Sequence, residues 1–313
     1  MAIREQQINP ENDLGFGPQP VMKSQPLINK DGSVNVRRKG LSLFNTADNY
    51  HTLIKMGWGK FWLIILSGYL IVNLIFATIY VTIGADSLDG ASGNNGISYF
   101  LDAFFFSAQT ISTVGYGHIS PHGIVANSIA AIESMLGLLA FALATGLLYG
   151  RFSRPTAKIV YSNNILISPY KEDGKGLMFR ISNLRRNVLI DLNVEVIFSY
   201  NETVDGKPIR RFFPLELERR EVSILTLNWT IVHPLDGNSP LADATPDELD
   251  RTQASFSVLL KAFDDTFSQT VHSRTSYQYC DMVWDAKFVQ MFEREESGRI
   301  MLDMSKISDY NHL

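Results

Sequence analysis

Residues 61–83 contain no Asp, Glu, Lys or Arg, and residues 103–150 contain only one, Glu133. Few folds tolerate charge-free runs of this length. About 20 apolar residues in a helix rising 1.5 Å per residue cross the hydrocarbon core of a bilayer. The first run, extended to 58–83, therefore reads as one spanning helix. The second splits into a short apolar, aromatic segment at 99–111, a glycine-punctuated run, and a second span at 124–150. The segment at 99–111 is too short to cross, so it reads as a re-entrant helix. Averages hide this layout: hydrophobic residues make up 45% of the 313 and mean hydropathy is +0.00, the blend of an apolar part and a polar, charged part.

The glycine-punctuated run is Thr113-Val114-Gly115-Tyr116-Gly117. Backbone at membrane depth with no ladder partner is tolerated only where it lines a cavity or meets something its carbonyls can ligate. T-V-G-Y-G is the sequence by which potassium filters are known, with one copy from each of four chains replacing the ion's hydration shell. Successive carbonyls point the same way only if alternate residues adopt unusual φ, which Gly115 and Gly117 tolerate. Tyr116 is expected to brace this backbone against the aromatic re-entrant helix. One chain supplies one strand of such a ring, so the function demands a cyclic homotetramer.

Basic residues set the orientation. Lys55 and Lys60 precede the first span, Arg151, Arg154 and Lys158 follow the second, and the loop between has no Lys or Arg. The positive-inside rule then puts both termini in the cytoplasm of a multi-pass cell-membrane protein. Residues 46–57 read as an amphipathic interfacial slide helix, with a plain linker as the alternative. Residues 1–45, with Pro10, Pro18, Pro20 and Pro26, are expected to be largely irregular and partly disordered. Past a linker at 151–160, residues 161–302 show strand periodicity, most clearly Ile190-Asp191-Leu192-Asn193-Val194-Glu195-Val196. Asp205-Gly206 reads as a hairpin turn. Several short strands with turn signals imply a β-sandwich, followed by a tail at 303–313. The fold class is thus membrane α plus cytosolic all-β.

Several side chains carry functional expectations. Glu133 is an ionisable group within a span, and such groups usually face protein, water or a partner. It sits either behind the filter, bonding to Gln109 or Thr110, or solvated near the outer interface. Gly137 offers the second span a hinge or a close-packing point. Phe141, Thr145 and Tyr149 recur every four residues and form one stripe. That stripe is either ordinary packing or, around a fourfold axis, a hydrophobic gate at Phe141 and Tyr149. Arg151, Arg154 and Lys158 suit anionic lipid headgroups as well as topology signalling.

Other classes are disfavoured. A net charge of −4 argues against a nucleic-acid binder. The six histidines are scattered without metal-ligand spacing, no nucleophile motif occurs, and no G-x-G-x-x-G follows a strand. An enzyme is not expected, nor a cofactor beyond K+ as the permeant ion. Cys280 is the only cysteine, which fits a reducing cytosol and leaves the outer loop without a disulfide. A membrane-anchored sensor is the rival reading, but an anchor has no use for a re-entrant helix or T-V-G-Y-G.

The order of motifs resembles the prokaryotic inward-rectifier potassium channel family from about residue 46 to 300. The matching stretches are Ser107-Ala108-Gln109-Thr110 before the filter, Glu133-Ser134-Met135-Leu136-Gly137 in the second span, and Arg151-Phe152-Ser153-Arg154-Pro155 at its end. In the cytosolic half they are Asn183-Leu184-Arg185, Thr230-Ile231-Val232-His233-Pro234, Ser239-Pro240-Leu241 and Arg274-Thr275-Ser276-Tyr277. The resemblance implies an immunoglobulin-like β-sandwich whose four copies extend the pore, constrictions at Phe141 and Tyr149, and regulation by phosphoinositides or anionic lipids through Arg151 and Arg154. It further implies Asp191 and Glu221 as acids lining the cytoplasmic pore, with Lys261 at another such position, and Mg2+ or polyamines as blockers. Strongly rectifying members carry an acid where this chain has Phe141. Where many eukaryotic members pair a Glu with an Arg behind the filter, this chain has Gln109 and Ile119, and Glu133 is expected to compensate.

Overall fold

The computed structural model describes residues 28–36, 46–92, 96–153, 157–171, 174–185, 187–204 and 206–313. The chain divides into two compact units, Gly40–Arg154 and a second made of Pro155–Leu313 with Met1–Lys39.

The first unit holds helices α1 (Thr46–Lys55), α2 (Trp58–Ile83), α3 (Gly96–Ile111) and α4 (Gly123–Phe152), with short strands β1 (Leu88–Asp89) and β2 (Ser120–Pro121). Helices α2 and α4 are long and apolar enough to cross a membrane, and only 17% and 11% of their most apolar windows are buried within the chain. Their outward faces are made for lipid or for other copies. Helix α2 has the expected bounds and ends at Gly84, whose φ of 128° favours glycine. Helix α3 starts at Gly96, earlier than expected. Helix α4 runs through Phe152, so Arg151 belongs to its last turn and not to a linker. The loop after α2 is closed by the β1–β2 ribbon, in which Leu88 pairs with Pro121 and Asp89 with Ser120. The amide of His122 also donates to the Ser87 carbonyl at 2.8 Å.

The second unit contains strands β3 (Ile159–Tyr161), β4 (Ile165–Tyr170), β5 (Gly174–Asn183), β6 (Leu189–Val204), β7 (Lys207–Pro214), β8 (Glu221–Leu225) and β9 (Asn228–Pro234). Helix α5 (Pro246–Arg251) follows, then β10 (Ser255–Asp264), β11 (Gln269–Gln278), β12 (Met282–Trp284), β13 (Ala286–Phe288), β14 (Phe292–Arg294), β15 (Ile300–Leu302) and β16 (Tyr310–His312). Two five-stranded sheets form the sandwich. One has the order β11-β10-β6-β7 with β8 also on β6; the other has β12-β4-β5-β3 with β9 also on β5. Their inner faces share one apolar core that includes Phe179, Leu192, Val194, Phe198, Phe256 and Tyr277.

The alternation expected from Ile190 holds from Leu192 to Val196: Leu192, Val194 and Val196 are buried while Glu195 is exposed and Asn193 half-buried. Before it the pattern breaks. Asp191 has φ of 49°, and the β6–β10 register shifts beside it. This bulge adds a residue, so Leu189 and not Ile190 faces the core. Gly206, with φ of 73°, sits in the expected hairpin, where Val204 pairs with Lys207.

Both ends differ from expectation. The tail is part of the domain: β16 pairs with β13, and the Leu313 amide donates to the Asp285 carbonyl at 2.9 Å. Within the N-terminal segment, residues 28–36 are ordered against the sandwich. Ile28 bridges Val34, the Thr275 hydroxyl donates to the Lys30 carbonyl at 2.9 Å, and the Ser276 hydroxyl donates to the Ile28 carbonyl. Gly32 turns this segment at φ of 79°, where a β-carbon would lie 2.5 Å from the Arg274 carbonyl oxygen. The expected irregularity of residues 1–27 and 37–45 lies outside the described residues.

Candidate functional site: the re-entrant loop and its supports

The run after α3 adopts an alternating backbone. Thr113, Gly115 and Gly117 have φ of 60°, 52° and 79°, and the residues between them do not have positive φ. Alternation of hand turns successive carbonyls toward one side, the arrangement a row of ligands needs. Glycine accepts the left-handed region freely, but Thr113 does not. A non-glycine residue there stores about 1–2 kcal/mol, which its surroundings must offset. The helix end supplies part of that hold: the Gln109 carbonyl accepts from the amides of Val114 at 2.9 Å and Gly115 at 3.4 Å. Gln109 thus supports the run through its backbone. Thr110 donates its hydroxyl to the Phe106 carbonyl at 2.8 Å, back into its own helix. Tyr116 is 79% exposed in the single chain. At that exposure its own α3 does not cover it.

Glu133 lies fully buried behind this run, not solvated at the interface. Its carboxyl oxygens meet the Tyr80 hydroxyl at 2.7 Å and the Ser107 hydroxyl at 2.5 Å. The expected partners Gln109 and Thr110 are replaced by Ser107 and Tyr80 for a reason of helical phase. The buried face of α3 is Tyr99, Ala103, Phe106 and Ser107, spaced by four, three and one, so Ser107 faces α4 and the next two residues turn away. Ser107 also lies 2.9 Å from the Asn73 side-chain oxygen, whose amide nitrogen donates to the Tyr69 carbonyl at 2.7 Å. Asn73 and Tyr80 were missed in the sequence because an apolar helix hides its few polar residues. Their spacing of seven, which puts both on one face, was the available signal.

Gly137 resolves toward close packing. A β-carbon there would lie 2.4 Å from the Ile111 carbonyl oxygen, so the glycine lets α4 touch the end of α3. Further along α4, Phe141 and Tyr149 are 76% and 74% exposed in the single chain. Thr145, between them, returns its hydroxyl to the Phe141 carbonyl at 2.9 Å.

Arg151 differs most from expectation. Its guanidinium donates to the carbonyls of Leu53 at 2.6 Å, Ile54 at 3.1 Å and Met56 at 2.7 Å. Leu53 and Ile54 offer orphan acceptors of the kind a helix C-terminus leaves behind, and Met56 follows directly after it. The same group lies 4.5 Å from the ring centroids of both Trp58 and Phe61. Arg151 therefore caps α1 and ties it to the end of α4, with both terminal nitrogens donating to backbone carbonyls. Arg154 lies outside the described residues, and Lys158 is exposed.

In the β-domain, Asp191 and Glu221 are both exposed. Glu221 accepts from the Asn193 side chain at 2.6 Å. Ladder register places Glu221, Asn193, Lys261 and His272 in one row across β8, β6, β10 and β11. The structure thus puts Lys261 two strands from Glu221 on the same row, and Asp191 on the adjacent bulge.

Comparison with known proteins matches the inward rectifier potassium channel C-terminal domain over residues 159–312 and an ion channel family over residues 68–154. The inward rectifier potassium channel Kirbac3.1 of Paramagnetospirillum magnetotacticum is 36% identical over 295 residues, covering 94% of this chain and 98% of that protein. The G protein-activated inward rectifier potassium channel 1 of Bos taurus is 26% identical across 93% of this chain and 63% of its own length. Human G protein-activated inward rectifier potassium channel 3 is 25% identical across 87% and 74%. All are ion channels and none is an enzyme. Together with the paired spans, the re-entrant helix and the β-sandwich, these likenesses show that the chain belongs to the inward-rectifier potassium channel family.

Proposed function

We propose that this chain forms a tetrameric, potassium-selective channel in which residues 113–117 are the filter. The observation that carries this reading is the alternating φ at Thr113, Gly115 and Gly117. It has no use in a surface turn, and it is what stacked carbonyl rings need. Ions pass passively, down their electrochemical gradient. Phe141 and Tyr149 form hydrophobic constrictions along the pore face of α4. Asp191 and Glu221 line the cytoplasmic extension, where Lys261 dilutes their field. Both termini lie in the cytoplasm, following the basic flanks.

Anionic lipid or phosphoinositide contact falls to Arg154 and Lys158, since Arg151 is engaged with α1. Block by internal Mg2+ or polyamines is weak, because the α4 position at which an acid would attract them is Phe141. Purified protein in liposomes is expected to pass K+ in a barium-sensitive manner and to exclude Na+. Equal K+ and Na+ flux would falsify the filter assignment.

A further inference from the structure

Asn73, Tyr80, Ser107 and Glu133 are each fully buried, and they join three helices: α2, α3 and α4. Their protons can be counted. The Tyr69 carbonyl only accepts, so the Asn73 atom 2.7 Å from it is the amide nitrogen, and the Asn73 oxygen faces Ser107. Ser107 has one proton and two oxygen neighbours, the Asn73 oxygen at 2.9 Å and Glu133 Oε1 at 2.5 Å. If that proton goes to Glu133, two buried acceptors, the Asn73 oxygen and Ser107 Oγ, face each other with nothing between. If it goes to Asn73, Ser107 Oγ needs a donor, and only the carboxyl is there. Tyr80 gives its own proton to Glu133 Oε2 at 2.7 Å. No Lys or Arg occurs from residue 61 to 150 to compensate a charge, and an unpaired buried carboxylate is costly.

We propose that Glu133 is an un-ionised carboxylic acid that donates its proton to Ser107. Oε1 is the hydroxyl oxygen and Oε2 the carbonyl oxygen. One relay then runs from Glu133 to Ser107 to Asn73 to the Tyr69 carbonyl, and Tyr80 closes it on the other side. Each hydroxyl and carboxyl proton of the relay then has one acceptor. The separation of 2.5 Å falls within the range of an O–H···O bond. Ser107 lies two residues before Gln109, whose carbonyl holds the amides of Val114 and Gly115. Glu133 is therefore a positioning residue for the filter through α3, a role that rests on the filter assignment above. The proton itself does not.

The test is an infrared difference spectrum of the full-length protein in lipid, wild type against Glu133→Gln. The expected result is a wild-type band at the carbonyl stretch of a protonated carboxyl, absent from the variant. Tyr80→Phe is expected to move that band to higher wavenumber, because Oε2 loses its donor. This second variant also decides the matter if Glu133→Gln does not assemble. Differences confined to the carboxylate stretches, or a band indifferent to Tyr80→Phe, overturn the proposal. In K+ and Na+ flux, Glu133→Leu is expected to lose most of the selectivity. Glu133→Gln, which keeps one acceptor and one donor, is expected to regain it. If Glu133→Gln fails as Glu133→Leu does, charge and not proton donation supports the filter. A wild-type acid band without selective wild-type flux sinks the filter assignment alone.

Discussion

The sandwich and the helical unit are held together by opposite means. Between the two sheets lies a continuous apolar core in which Phe179, Phe198, Phe256 and Tyr277 are all at least 99% buried. The helical unit has only a small apolar cluster, chiefly Phe76, Ala77, Tyr80, Tyr99, Ala103 and Phe106, and its helices meet through Glu133, Ser107, Asn73 and Arg151. The contrast follows from the solvent. Water drives apolar faces together. Lipid tails are as apolar as leucine and give no such drive, so small residues and hydrogen bonds specify how helices meet in a membrane. Gly137 against the Ile111 carbonyl and the Glu133 cluster are those two devices side by side.

The contrast can be broken at either end. The largest effect is expected for Phe256→Ala, at about 3–5 kcal/mol of sandwich stability from lost burial and a cavity. Denaturant unfolding followed through Trp229 and Trp284 measures it. A loss below about 1 kcal/mol would mean the apolar core is not what holds the sheets. Next is Arg151→Met, which keeps an apolar stem beside Trp58 and Phe61 but removes the donors to Leu53, Ile54 and Met56. A hydrogen bond from a charged group contributes about 1.5–3 kcal/mol net of the water it replaces. Faster amide exchange throughout α1 is the expected sign, and unchanged exchange would show that the cap is ornamental.

The smallest effect is a pH dependence in the sandwich. His233 is buried, its Nδ1–H donating to the Glu216 carbonyl at 2.5 Å while Nε2 accepts from the Ser239 hydroxyl at 2.8 Å. Burial pushes its pKa below the ordinary 6.5. The unfolded chain then takes up a proton more readily than the folded one. The contribution is whole above about pH 6.5 and declines as pH falls through that value. His233→Asn should flatten this acid limb of the stability curve; a limb of the same steepness in the variant would assign it to other groups.

Much of this was legible beforehand, for physical reasons. Charge-free length marked α2 from Phe61 onward, since nothing else explains such a run. Glycine spacing marked the positive φ of Gly115 and Gly117, and alternation marked β6 from Leu192 to Val196. What escaped depended on partners far away in sequence. Nothing local in residues 28–36 announces docking on Thr275 and Ser276, and nothing in the last residues announces pairing of β16 with β13. The bulge at Asp191 is a property of two strands together. Glu133 was found as an anomaly in an apolar helix, but its partners required the phase of α3 and the polar positions of α2. Arg151 looked like surface charge because a guanidinium reads alike in sequence whether it meets a phosphate or the end of a helix.

The β1–β2 ribbon has a mechanical consequence. The run 113–117 leaves α3 at one end and within three residues enters β2, which is stitched to β1 just past the end of α2. The His118 carbonyl lies so close to Gly90 that a β-carbon there would sit 2.1 Å from it. The run is thus strung like a wire between two posts, one held by Gln109 and the Glu133 cluster, the other by the ribbon. Slack is what lets a loop collapse, and a chain fixed at both ends over so short a span has little conformational entropy to gain by it. Flattening the row of carbonyls then requires moving a post, so the loop between α2 and α3 bears on the shape that residues 113–117 can hold.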